Sequence, residues 1–142
     1  RDVRRRMAQE IHKIPLFPGT SEMLQTLADA GILLAMVSSN SEANVRAVLG
    51  PENVARFASF NCGASVFGKA PKLKSVMKKC RIASETALLI GDEIRDAHAA
   101  QKVGMAFGAV AWGYTNPEAM RALNPQEYFE SMSDIATRLI GA

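Results

Sequence analysis

The sequence predicts an α/β fold, a parallel sheet held between two layers of helices, and three observations predict it. Unbroken apolar runs at 32–37 (ILLAMV), 87–90 (ALLI) and 105–112 (MAFGAVAW) have the length and the lack of alternation of inner strands buried on both faces. Amphipathic helical stretches separate them. Parallel neighbours need crossovers, and helices of this length supply them.

Taken in order, Val3, Met7, Ile11 and Ile14 recur at helical spacing, so residues 2–13 are expected to form a helix that Pro15 stops. Thr20 can cap the next helix, which carries Met23, Leu24, Leu27 and Ala28 on one face and ends at Gly31. The run 32–37 closes on Ser38, Ser39 and Asn40, after which Ser41 can cap a helix bearing Val45, Val48 and Leu49. Pro51 opens a short helical stretch and 58–62 suits a strand. The loop GASVFGKA leads to a basic helix over 71–81. The run 87–90 meets Gly91, and acids at Asp92, Glu93 and Asp96 fall where a helix over 94–103 begins. After the run 105–112 come a short helix in GYTNPEAM, an edge strand at Tyr128 and Phe129, and a final helix capped by Ser133.

Composition narrows the function classes. A chain of 142 residues with 48% hydrophobic residues can build one core. No apolar run approaches the roughly 20 residues needed to cross a bilayer, and RDVRRRMAQEIHK lacks the apolar core of a signal peptide, so a soluble, cytoplasmic protein is expected. Cys62 and Cys80 have no metal-ligand spacing and read as structural. The net charge of +3 owes much to Arg1, Arg4, Arg5 and Arg6, and only 6% of residues are aromatic, which argues against nucleic acid as a partner.

Three polar groups follow strands: Ser38, Lys69, and Asp92 with Asp96. The carboxyl ends of parallel strands share one edge, where open α/β sheets bind ligands. Carboxylates facing a crevice repel one another unless a cation lies between them, and Mg²⁺ suits hard oxygen donors. Hydroxyls and backbone N–H groups at Ser38, Ser39 and Asn40 would hold phosphate oxygens and Lys69 would neutralise them. This is a phosphoryl-transfer site without an evident nucleophile.

The arrangement resembles the haloacid dehalogenase (HAD) superfamily, in particular its phosphoglycolate phosphatase-like members. The resemblance is carried by FPGTSEMLQTLADAG, then MVSSN, FGKAPKLKSVMKK and LLIGDEIRDAHAAQKVGM as motifs II, III and IV, with AWGYTNPEAM after them. It implies a three-layer, Rossmann-like (HAD-like) parallel sheet and Mg²⁺-dependent hydrolysis of a small phosphorylated metabolite through an aspartyl-phosphate. Ser38 would bind the transferring phosphoryl group and Lys69 would stabilise its charge. Asp92 would ligate Mg²⁺ and Asp96 would support the metal shell.

The sequence departs from that family at one point. The nucleophile and general acid come from a DxDx[TV] motif after a first, central strand, and no Asp-x-Asp occurs here. Asp2 stands in a helical pattern. The expectation is therefore a piece of a longer chain, inactive alone, with the first core strand and cap absent. Residues 1–14 would be the end of a helical cap or a linker, and 15–142 the core.

Simpler roles compete with each assignment. Ser38 can be a strand-end residue, Lys69 a solvated lysine, and Lys72 or Lys74 the motif III lysine. Glu93 suits a helix start, His12 and His98 suit structural helix positions, and Trp112 and Tyr114 suit packing. Two rival functions stand beside the hydrolase. One is a non-catalytic HAD-like pseudoenzyme or binding module. The other is a P-loop NTPase, because Gly63–Ala70 falls one residue short of GxxxxGK[ST].

Overall fold

A computed structural model of the chain describes residues 6–9, 18–113 and 115–140. The strands are β1 (Arg6–Gln9), β2 (Leu33–Ser38), β3 (Phe57–Cys62), β4 (Ala87–Gly91), β5 (Ala106–Val110) and β6 (Glu127–Phe129). The helices are α1 (Thr20–Asp29), α2 (Glu42–Val54), α3 (Ala70–Cys80), α4 (Ile94–Val103), α5 (Pro117–Arg121) and α6 (Met132–Ile140). The strands form one parallel sheet in the order β3-β2-β1-β4-β5-β6.

Successive strand side chains point to opposite faces, so each continuous apolar run serves two cores at once. Leu34, Met36, Leu88 and Ile90 pack with Leu24 and Leu27 of α1, Leu49 of α2 and Ile135 and Leu139 of α6. Ala35, Val37, Leu89 and Phe107 pack on the other face with Leu73 of α3, Ala100 of α4 and Met120 of α5. Three layers result, as the sequence predicts. Cys62 and Cys80 are free thiols.

The expected helix over 2–13 is corrected at Arg6–Gln9, which are extended. Arg6 to Gln9 pair in parallel with Leu33 to Met36 on one side and Ala87 to Ile90 on the other. Neither an absent central strand nor a linker describes these four residues, because they join the core sheet. The physical reason is backbone demand: two facing strand edges leave rows of unpaired N–H and C=O groups, and an inserted strand satisfies both rows. Helical spacing in so short a segment offers less. Asp2, His12 and the rest of the predicted helix lie outside the described residues.

Other boundaries shift by local chemistry. Gly19 (φ 89°), not Thr20, holds the N-cap of α1, and Thr20 is its buried first residue. The Ser41 hydroxyl caps α2 by accepting the Asn44 N–H at 3.1 Å. Gly50 (φ 81°) breaks α2 and Pro51 restarts it. α6 begins at Met132, before Ser133; the Asp134 N–H donates to the Ser131 carbonyl, and the Asp134 carboxylate accepts the Glu130 N–H, both at 3.1 Å. Among the described residues no helix is long and apolar enough to cross a membrane.

Candidate active site

Ser38 is the last residue of β2 and pairs in register with Cys62, so the loop that carries Lys69 leaves the sheet beside Ser38. β4 ends at Gly91, from which Asp92 leads into α4. The crossovers thereby bring the hydroxyl, the ammonium and the acids to one sheet edge.

Lys69 reaches from the start of α3 to the first turn of α4, where its Nζ donates to Asp96 Oδ1. Both are buried, Asp96 completely. The second Asp96 oxygen accepts the Glu93 N–H at 3.1 Å. This carboxylate is thus held at both oxygens, by a cation and by a helix-start amide. Gly91 is required beneath it, because a Cβ there would lie 2.5 Å from Asp96 Oδ2 and 2.9 Å from its Cβ and Cγ. Lys72 instead donates to Asn61 Oδ1 at 3.4 Å and Lys74 is exposed, so Lys69 alone of the three meets an acid of the site.

Asp92, Glu93 and Asp96 each offer a carboxylate oxygen, all within 4.8 Å of one another. Arg95 pairs with Glu93 at 2.7 Å. The donor set is all oxygen, and with one acid already bound to Lys69 it fits Mg²⁺, which takes one or two carboxylates and keeps several waters. Glu93 is the N-cap of α4, as a helix-start role requires, yet it also stands inside the acid cluster.

The Ser38 hydroxyl is buried and accepts the Asn40 N–H at 3.1 Å, which leaves its own O–H to donate. Asn40 Oδ1 accepts the Ser41 N–H at 3.0 Å and Asn44 Nδ2 at 3.2 Å, so that oxygen organises the start of α2. Ser39 is exposed and lines a cavity of about 220 Å³ with Ser65, Lys69, Lys72, Arg95 and Lys102. No acid lines this cavity, a basic character that no single motif signals.

His98 is exposed on α4, Trp112 packs against the core, and Tyr114 lies outside the described residues. The near-Walker loop does not hold its lysine over itself: Lys69 crosses to Asp96, whereas a P-loop lysine reaches the phosphates cradled by its own loop. The turn after β5 folds back toward the acids. Its Thr115 N–H donates to the Asp92 carbonyl at 3.1 Å.

Similarity to known proteins agrees with this geometry. Residues 1–110 match the family described as haloacid dehalogenase-like hydrolase. The phosphoglycolate phosphatase of Synechococcus elongatus is 28% identical over 134 residues, covering 94% of this chain and 63% of that protein. That of Vibrio parahaemolyticus is 29% identical over 133 residues, covering 90% and 58%. This chain thus spans about three-fifths of the length of these relatives. A haloacid dehalogenase-like hydrolase from Streptococcus pneumoniae shares the fold, with a TM-score of 0.79 at 18% identity over 88% of this chain and 60% of its own. With more than half its length matched and its motif residues gathered on one sheet edge, the chain belongs to the haloacid dehalogenase-like hydrolases.

Proposed function

We propose that the complete protein is a Mg²⁺-dependent phosphomonoester hydrolase that acts on a small phosphorylated metabolite. Residues 15–142 would form its core domain. The observation that supports this best is the Lys69–Asp96 pair beside the Asp92 carboxylate, on the edge where β2 delivers Ser38.

In this reading the Ser38 O–H donates to an oxygen of the transferring phosphoryl group, with Ser39 and Asn40 bordering it. Lys69 places positive charge beside that group and Asp96 fixes its position. Asp92 would hold the metal. When bound, Mg²⁺ would offset the repulsion between a dianionic phosphate and an attacking carboxylate. Hydrolysis through an aspartyl-phosphate needs an aspartate at the carboxyl end of a central strand. Here Glu10, Ile11, His12 and Lys13 follow β1. We infer that the nucleophile lies in sequence upstream of Arg1, on a strand that in the complete protein would take the place between β2 and β4 that Arg6–Gln9 hold here. Two relatives are named for phosphoglycolate, which makes small phosphorylated acids the first substrates to try. The location would be cytoplasmic, with neither nucleic acid nor membrane as a partner.

The test is turnover of p-nitrophenyl phosphate and phosphoglycolate by the complete protein with and without Mg²⁺. Metal-dependent release of phosphate that disappears in Asp92→Ala is the expected result. A complete protein inert toward a broad panel of phosphomonoesters would instead favour the pseudoenzyme, a reading supported by the lack of any Asp-x-Asp in these residues.

A further inference from the structure

Gly113 follows Trp112 in the turn after β5, and its φ lies outside the left-handed region, so its backbone does not call for glycine. Space does. A Cβ built on Gly113 would overlap the Asp92 Cβ and lie 2.8 Å from Oδ2 and 2.9 Å from Cγ. Real Cβ atoms do not approach other atoms so closely, so an added methyl must displace either the Asp92 carboxylate or the turn.

Neither is free to move cheaply. Asp92 is fixed from behind by β4, whose residues are all buried, and from ahead by α4, whose first turn is locked by the Glu93 N–H to Asp96 bond. The turn is fixed on one side by Trp112, packed against the core, and on the other by the Thr115 N–H donated to the Asp92 carbonyl at 3.1 Å. Asp92 is thus clamped between its own strand–helix junction and a turn that closes on it from the next strand.

We propose that Gly113 is a positioning residue for Asp92: its missing side chain lets the turn after β5 seat against the acid and hold the carboxylate in its metal-binding orientation. The inference rests on the reading of Asp92 as a metal ligand. Groups that orient a ligand alter affinity even though they never touch the ion, typically by about 10- to 100-fold. The effect requires only a small misplacement of one oxygen.

The experiment is direct Mn²⁺ binding to the complete protein, followed by electron paramagnetic resonance without substrate, in wild type, Gly113→Ala and Gly108→Ala. Gly108→Ala is the matched control, since its Cβ would meet Phe129 at 2.8 Å and strain the same strand away from the acids. Gly113→Ala should bind Mn²⁺ about tenfold or more weakly, while Gly108→Ala loses thermal stability but keeps wild-type affinity. Should Gly113→Ala not fold, Thr115→Pro decides, because its ring carbon replaces the N–H aimed at the Asp92 carbonyl 3.1 Å away and so forces the turn off Asp92 while leaving Gly113 in place. Wild-type affinity in the folded variant overturns the role of Gly113 alone. A wild-type protein that binds no Mn²⁺ overturns the metal reading and this inference with it.

Discussion

Lys69 and Asp96, 27 residues apart in sequence, meet as a buried ion pair that ties the start of α3 to the first turn of α4. Taking two charges out of water is costly, and the cost is offset only where geometry and added hydrogen bonds are good. Here the remaining Asp96 oxygen has its partner in the Glu93 N–H. The pair therefore ties the acid cluster at the start of α4 to α3.

Breaking it from one side should be severe. Lys69→Met leaves a buried carboxylate without its cation, a situation that costs about 3–5 kcal/mol. The double variant Lys69→Met, Asp96→Asn should recover more than half of that loss in urea unfolding of the complete protein. Additive losses would show that the two side chains are not coupled.

Ser38→Ala removes an O–H proposed to reach the phosphoryl group, together with the acceptor of the Asn40 N–H. A net loss of about 1 kcal/mol in stability is expected from the lost hydrogen bond. Turnover should fall much further, by about 100-fold in kcat/KM, as when one donor to developing charge is removed. Equal kinetics in mutant and wild type would remove Ser38 from the site.

Burial pushes the Cys62 thiol above its ordinary pKa, and Glu42 adds to the shift while Lys72 and Arg46 oppose it. A raised thiol pKa means that the folded state holds its proton to higher pH than the unfolded state. The corresponding stability is intact below the ordinary thiol pKa and is lost as pH rises through the folded value. Alkylation of native Cys62 by iodoacetamide, followed by mass spectrometry, should accordingly be slow at neutral pH and reach its midpoint only above the ordinary thiol range. A midpoint near pH 7 would contradict the burial account.

Much of this fold is legible in the sequence because its signals are local. The runs ILLAMV and ALLI mark β2 and β4 through lack of alternation, and the spacing after Asp92 marks α4 from Ile94 to Val103. The grouping of the candidate residues is legible for a related reason: in a parallel sheet every strand ends on the same edge, so Ser38, Lys69, Asp92 and Asp96 fall together without a single distance being known.

What only the tertiary structure decided depends on partners far away in the chain. Val3, Met7, Ile11 and Ile14 carry a helical period, yet Arg6–Gln9 form a strand, because the open edges of β2 and β4 demand hydrogen bonds that no local pattern records. Lys69 is preferred to Lys72 and Lys74 in the sequence because it follows Gly68 ahead of the helical pattern, but only the packing of α3 on α4 sets it against Asp96. Gly113 stands in the segment AWGYTNPEAM, yet nothing in that segment assigns it a task. Its role exists only where the turn after β5 folds back onto Asp92 and leaves no room for a side chain. Periodicity along the chain specifies elements and faces, whereas long-range backbone pairing and steric exclusion specify which of those faces meet.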